Sequence, residues 1–480
     1  VAIFILLMDL FIHIYKMMIM KKVLYTLFLL FLIPMFGSAQ AIVGSWQGKL
    51  NIQGQELPLI FHVDQKDGRW TGRMDSPKQG AKGIPLDEVK WTGDLLQLYL
   101  KTGGIQYEGR IQSDKSIKGV FKQGSFESPL DLQFDKDAAI QARRPQTPQA
   151  PFPYTATEVM IPTPTEGVQL GATLTMPAGE GPFPAVVLIS GSGPQDRNQT
   201  IFEHQPFWVL ADYLTRQGIA VLRYDDRGVG QSTGPFQTAT SKDFAIDAEA
   251  AFAYLQQQKG VDPKRVGLLG HSEGGMIAPM VAVANKSVSF TVLMAPPVIP
   301  ISQLMVLQNK VLGQQMGLND NQLAINEKIN AGAYQIVQQY EEPDQLEAQL
   351  KLFFTSVVQS QGVPSDQIET VIRPQVQSLM NPWFRYFIKY DPKINLLQLE
   401  VPTLFLFGKL DRQVTYEENS LAANQIAKQN EKMKATIVDF AQLNHLFQES
   451  TTGSPEEYAQ IEQTISPRVL SAILSFIQQQ

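Results

Sequence analysis

The densest chemical signal in this 480-residue chain is the pentapeptide Gly270-His271-Ser272-Glu273-Gly274. It follows the apolar run Val266-Gly267-Leu268-Leu269 and leads into Gly275-Met276-Ile277. A serine with glycine two residues to either side, between a predicted strand and a predicted helix, is what a sharp strand–turn–helix elbow demands, because a Cβ at the flanking positions would strike the neighbouring elements. The elbow presents the hydroxyl at the edge of a sheet and at a helix N-terminus, where developing negative charge is favoured. A hydroxyl is a weak nucleophile and needs a base. Of the five histidines, His13 lies in the N-terminal leader and His62 in a region of different character. His271 is fixed beside the serine, with its side chain expected to point away. His445, in Gln442-Leu443-Asn444-His445-Leu446 after the last predicted strand, is the expected base. His204 precedes a helix and reads as a substrate-side or capping residue. The expected acid is Asp411, which ends Leu404-Phe405-Leu406-Phe407-Gly408-Lys409-Leu410-Asp411, a strand breaking into a turn. Asp391 has the right place in chain order but follows no strand, and Glu417 and Glu418 read as helix-capping residues. The order serine, acid, histidine at strand ends predicts acyl transfer through an acyl-serine.

That chemistry also requires two backbone N–H groups aimed at the developing oxyanion. One is expected from Glu273. The other is expected from the loop Ser190-Gly191-Ser192-Gly193-Pro194, with Ser192 the better-placed donor and Gly193 the alternative. The same loop lacks the Lys-Ser/Thr of a phosphate-binding loop and the G-x-G-x-x-G of a dinucleotide site. Tyr224–Ser232 carries two aspartates and an arginine that read as an ion pair fixing a loop. Gln195-Asp196-Arg197-Asn198 either touches substrate or holds the oxyanion loop.

The elements that must carry these residues alternate. Strands are predicted at 185–190, 219–224, 265–270, 290–294, 403–407 and 436–440, and helices at 205–217, 243–258, 274–285 and 466–479. Alternation of this kind predicts a mostly parallel sheet with helices on both faces. Residues 298–395 break the rhythm with Gln-rich amphipathic helices, read as a helical cap inserted above the sheet's C-terminal edge. Trp383, Phe384 and Tyr386, near its end, either line an acyl pocket or pack in a core.

From about Tyr154 onward the chain resembles the α/β-hydrolase superfamily of serine hydrolases. Gly270–Gly274 is similar to the nucleophile elbow of that family, and Asp411 and His445 match its acid and base in order and setting. Ser190–Gly193 takes the place of its His-Gly-rich oxyanion loop, with Ser190 where the family has histidine. Tyr224–Ser232 resembles its Asp-x-Arg-Gly-x-Gly-x-Ser loop. More narrowly, the chain resembles exported bacterial hydrolases grouped with serine aminopeptidases, acylaminoacyl-peptidase-like enzymes and feruloyl-type esterases. The resemblance implies an α/β-hydrolase fold over 155–480 and leaves substrate and oligomeric state open. The expected activity is carboxylic ester hydrolysis, needing no metal or organic cofactor. The alternative is a peptidase acting on short or N-acylated peptides with the same residues. A scaffold with a decayed hydrolase fold is a third reading, opposed by the intact Ser272, Asp411 and His445.

The remainder of the chain has another character. Lys21 and Lys22, the apolar run from Val23 to Phe36 and the small residues Gly37-Ser38-Ala39 read residues 1–40 as a leader with a signal peptide, its natural start near Met20. The chain is therefore expected in the periplasm or secreted, without stable membrane insertion after cleavage. There is no cysteine for a lipid anchor, a disulfide or a thiolate metal site. Residues 41–140 alternate apolar and polar side chains, as in Leu57, Leu59, Phe61 and Val63, and predict a small all-β domain of seven or so strands. Its tryptophans, Trp46, Trp70 and Trp91, are expected in the core rather than on a sugar-binding face. The proline-dense stretch 141–164 is expected to be a linker. A formal net charge of −6 carries no broad basic field, so nucleic acid is not an expected partner.

Overall fold

The computed structural model describes residues 42–480 apart from 53–54, 67–68, 78–80, 102, 113–115, 125, 136–143 and 316. The expected leader lies outside the described residues. The chain divides into two compact units between Gln141 and Ala142. Among the described residues no helix is long and apolar enough to cross a membrane.

Among its described residues the first unit forms an antiparallel sheet of ten strands, from β1 (Gly44–Ile52) and β2 (Gln55–Lys66) to β10 (Leu132–Asp135). The count exceeds the seven or so expected because strands such as β4 (Ala81–Pro85), β9 (Phe126–Pro129) and β10 are too short for a period of two to show in sequence. The alternating residues point into one core of Trp46, Leu59, Phe61, Val63, Leu96 and Leu98. Trp46 is fully buried and its indole N–H donates to Ile42 O at 2.8 Å. Trp70 and Trp91 are half-buried against the same core, so these aromatics serve packing.

The second unit is built on an eight-stranded sheet in the order β11-β12-β14-β13-β15-β16-β17-β18. Its first strands, β11 (Thr155–Pro162) and β12 (Gln169–Met176), are antiparallel to their neighbours. The rest are parallel: β13 (Phe183–Ile189), β14 (Ala220–Tyr224), β15 (Val261–His271), β16 (Thr291–Met294), β17 (Thr403–Gly408) and β18 (Ala435–Phe440). In β13 the period of two feeds both faces. Val187 packs with Phe252 of α2 (Ser241–Gln256) and Ile277 of α3 (Glu273–Ala284). Val186 and Leu188 pack with Leu210 of α1 (Pro206–Arg216) and Ile473 of α11 (Pro467–Gln478). A strand buried on both sides reads as an unbroken apolar run, which is why it was legible. β11 was not anticipated: it is an exposed edge strand whose Thr-Ala-Thr-Glu start has no apolar alternation.

Six helices fill the interval between β16 and β17: α4 (Ile301–Gln315), α5 (Asp320–Gln339), α6 (Pro343–Ser360), α7 (Ile368–Met380), α8 (Pro382–Lys389) and α9 (Lys393–Leu396). They share a core of their own around Val337, Leu346, Leu350 and Ile388, which reaches down to Met276 of the elbow helix and to Val414. α10 (Tyr416–Gln429) then packs back onto the sheet.

In the stretch 141–164, expected as a linker, the described residues from Arg144 onward bond to the second unit. The Arg144 guanidinium donates to the carbonyls of Phe202, Ala459 and Ile461 at 2.8–3.2 Å. The Gln146 carboxamide oxygen accepts from Thr464 N and Ile465 N. Tyr154 donates to Asp212 at 2.7 Å. Proline makes this segment stiff, but its polar side chains tie it down as a strap. Arg144→Ala leaves those carbonyls short of donors and should destabilise the second unit by about 1–3 kcal/mol, measured as a lower urea midpoint in tryptophan fluorescence.

Candidate active site

Ser272 sits between β15 and α3 with φ 55° and ψ −118°, a conformation that L side chains resist and that costs on the order of 1–3 kcal/mol. Its surroundings over-determine it. Ser272 N donates to Met294 O, and Gly275 N donates to Ser272 O, each at 2.9 Å. A Cβ on Gly270 would stand 1.9 Å from Gly274 O, and one on Gly274 would stand 2.2 Å from Ile189 O. The two glycines therefore allow the elbow to close against β13.

His445 lies in the loop between β18 and α11. Its Nε2 is 3.1 Å from Ser272 Oγ and its Nδ1 is 2.7 Å from Asp411 Oδ2. The other Asp411 oxygen accepts from the backbone N–H groups of Gln413 and Val414 at 2.8 and 2.9 Å. Both side chains are buried. With the carboxylate accepting from Nδ1–H, the Nε2 lone pair faces the serine hydroxyl. The two loops are stitched together: Leu410 N donates to Leu443 O at 3.0 Å, and a Cβ on Gly408 would stand 2.4 Å from that same oxygen. The structure thus brings Ser272, Asp411 and His445 into one hydrogen-bonded series. Asp391, by contrast, serves a local turn, accepting from Lys393 N.

This series and the sheet order stand beside two sequence likenesses. A family profile, serine aminopeptidase S33 (Hydrolase_4), matches residues 205–346. Esterase EstD of Thermotoga maritima is 31% identical over 278 residues, which is 58% of this chain and 58% of that protein. The chain is thus similar to serine hydrolases of the α/β-hydrolase type, and it spans little more than half the length of that esterase. Thiohydrolase aneE of Aspergillus aculeatus is 32% identical over 132 residues, 27% of this chain and 39% of its own length. Among solved structures, esterase Pf2001 of Pyrococcus furiosus aligns over 68% of this chain and 91% of its own, at 15% identity and a TM-score of 0.42.

The two expected oxyanion donors flank the serine. Glu273 is the first residue of α3. Ser192 lies after β13, next to Gly191, whose added Cβ would be 3.2 Å from Ser272 Cβ. Among the described residues neither Ser192 N nor Glu273 N donates a hydrogen bond. The Glu273 side chain turns into the protein. Its Oε1 accepts from Ser241 Oγ at 2.6 Å and from Trp383 Nε1 of the cap at 2.8 Å, and Ser192 also bonds to it. Burial raises the pKa of this carboxyl, and those three donors oppose the rise.

His271 departs from expectation. Its ring lies 4.8 Å from that of His445 and braces that residue's loop: Nε2 donates to His445 O at 2.9 Å, and Nδ1 accepts from Gln199 Nε2 at 2.7 Å. The reason is local. The elbow brings the end of β15 under the His445 loop, where a carbonyl faces the imidazole N–H. Gln199 was missed, since a lone glutamine in a loop carries no spacing signal. His204 is neither substrate-side nor a cap: it is buried and bonded to Thr464 Oγ1 and Tyr458 O, each at 2.9 Å. In the Gln195–Asn198 segment, Arg197 holds the loop by a buried pair with Asp225 at 2.7 Å. Arg227 likewise pairs with Asp247 at 2.7 Å.

The cleft over Ser272 has a volume of about 250 Å³, and its walls come from the loop after β13 (Gly191, Gln195), the cap (Leu304, Trp383) and the His445 loop (Leu446). Among the described residues that line it there is no Asp, Glu, Lys or Arg. A second array of the same residue types exists in the first unit, with Ser45 Oγ 2.8 Å from His62 Nδ1 and His62 Nε2 2.9 Å from Asp75. There Ser45 and His62 are cross-strand partners, Ser45 and Asp75 are buried, and the imidazole nitrogens have exchanged roles, so the array stabilises the sheet.

Burial depresses His271 to about 3, helped by repulsion from His445, and depresses His204 to about 4. In the unfolded chain an imidazole binds a proton near pH 6.5. Between that pH and the folded values the unfolded state holds more protons, so stability falls as pH falls, by about 1.4 kcal/mol per pH unit per histidine. Urea midpoints should therefore drop between pH 7.5 and 5, and His204→Gln should flatten part of that slope.

Proposed function

We propose that this chain is a serine hydrolase that cleaves uncharged carboxylic esters through an acyl-enzyme. The observation that carries the reading is the Ser272–His445–Asp411 series opening into a cleft with no charged side chain among its described lining residues. Ser272 Oγ attacks the ester carbonyl while His445 Nε2 takes its proton. The oxyanion of the tetrahedral intermediate is met by Glu273 N and Ser192 N. Nε2–H then protonates the departing alcohol, leaving the acyl group on Ser272. A water deprotonated by the same nitrogen attacks that acyl group and releases the acid. Asp411 holds the imidazole in the required tautomer and offsets its charge when it is protonated. Two backbone N–H groups keep the carboxylate itself in place.

Peptidase action would employ the same residues, and the serine aminopeptidase profile keeps it in view. A free amino or carboxyl terminus buried in a cleft needs an opposite charge beside it. The neutral lining favours an ester, or an acyl group without a terminus. The name of the esterase relative is consistent with this. The signal peptide read in residues 1–40 extends the proposal to an exported enzyme, periplasmic or secreted.

The test compares the wild type with Ser272→Ala on nitrophenyl esters and on matched aminoacyl anilides. Esters should turn over at least ~100-fold faster than anilides in kcat/KM. Ser272→Ala should lose at least ~10⁴-fold in kcat, as removal of the nucleophile from such a unit does. Faster cleavage of the anilides would instead make the protein a peptidase.

A further inference from the structure

Trp383 stands in the wall of two cavities. One is the cleft over Ser272 and His445. The other, of about 320 Å³, is lined by Phe236, Ala239, Phe244 and Trp383, with Gly193 and Asn381. Ser192 belongs to both linings as well. The second cavity is aromatic: Phe236 and Phe244 stack with centroids 5.6 Å apart, and the Trp383 indole stacks on Phe387 at 4.8 Å. Its described lining carries no charged side chain. Its volume is comparable with that of a small-ligand pocket, roughly 300 Å³ or more. Over Gly193 the space is open, since an added Cβ would meet nothing closer than Gln195 Nε2 at 3.8 Å.

The position of Trp383 is fixed from beneath. Its Nε1 donates to the Glu273 carboxylate, and Glu273 follows the nucleophile in the chain. A buried carboxylate is expensive unless its oxygens are satisfied. Here its partners are the cap tryptophan, Ser241 and Ser192 of the oxyanion loop. One side chain therefore couples the cap to both loops that surround the reacting carbonyl. The two arms of an ester leave its carbonyl carbon in different directions. With the carbonyl oxygen beside Ser192 N, one arm can occupy the Ser272 cleft while the other reaches past Gly193.

We propose that the Phe236–Phe244–Trp383 cavity is a second substrate subsite, taking an apolar, ring-sized arm of the ester. In this arrangement Trp383 is the wall dividing it from the Ser272 cleft, and Glu273 is the positioning residue that holds the wall. The inference rests on the ester hydrolase reading. It narrows the substrate class to esters with an apolar group on each side of the carbonyl, the bulkier one flat and aromatic or branched.

The experiment uses the full chain and two ester series: acetates of methyl, phenyl and naphthyl alcohols, and nitrophenyl esters of acetic, butanoic and phenylacetic acids. Burying one aromatic ring should raise kcat/KM at least ~10-fold over the smallest member in one series, and the responding series tells whether the arm is alcohol or acyl. Ala239→Leu fills the cavity and should abolish that ratio. Trp383→Ala joins the cavities and should extend acceptance to the largest members, whereas Trp383→Phe, which keeps a ring but loses the N–H, should fall between. Phe244→Ala enlarges the cavity from another element and should move the preference toward the larger arm, which keeps the test sharp if Ala239→Leu does not fold. Each reading is a ratio between substrates within one variant, so partial unfolding does not move it. Ester turnover with no ring preference, or with ratios unchanged in all variants, overturns the subsite and leaves the hydrolase reading intact. The absence of any Ser272-dependent ester turnover in the wild type overturns both.

Discussion

The second unit depends on a close approach of backbone to backbone. At the elbow the chain reverses so tightly that Gly270, Gly274 and the end of β13 share space in which no Cβ fits. That contact forces Ser272 to a positive φ and keeps it there. The strain would relax if the surroundings could move. They cannot, because β15 is a central strand between β13 and β16 with buried apolar residues on both faces. The stability of the core is thus what maintains Ser272 in an unfavourable conformation.

The rest of the site is arranged around that fixed hydroxyl by neutral hydrogen bonds more than by charge. His445 is aimed by Asp411 on one side, and its loop is held from below by His271 through a carbonyl. Gln199 completes the brace. Because His271 and His204 are held neutral by burial, they act as fixed dipoles. The charged pairs, Arg197 with Asp225 and Arg227 with Asp247, shape the loops around the cleft but do not line it. The ionic groups secure the scaffold, and the chamber stays neutral.

The cap joins this scheme through apolar packing and through polar contacts, among them Gln308 Nε2 to Gln413 O and Trp383 Nε1 to Glu273. Its helices share an apolar core that meets the elbow helix at Met276, a contact without direction. The hydrogen bond from Trp383 to Glu273 supplies the direction. It sets where one aromatic wall stands relative to Ser272, and so links the geometry of the cap to the geometry around that serine.

What could be read from the sequence was whatever is local or periodic. The elbow is five consecutive residues. Asp411 follows the fully buried strand β17 and His445 the half-buried edge strand β18, and the doubly buried strands declare themselves as unbroken apolar runs. The cap appeared as an interval without strand periodicity, and the first unit as alternating apolar residues. What escaped depends on contacts between distant segments. β11 is an edge strand whose polar sequence pairs only because β12 is beside it. The strap at 144–154 looked like a linker because proline density reports stiffness and not docking; the carbonyls that Arg144 meets lie more than 300 residues away at Ala459 and Ile461. Gln199, the brace made by His271 and the buried carboxylate of Glu273 under Trp383 exist only once loops from four parts of the chain converge. The sequence by itself determined which groups could react and in what order along the chain they lie, because those properties belong to residue type and neighbouring residues. Only the tertiary structure decided what surrounds Ser272, because burial, pairing and the shape of a cavity belong to no single segment.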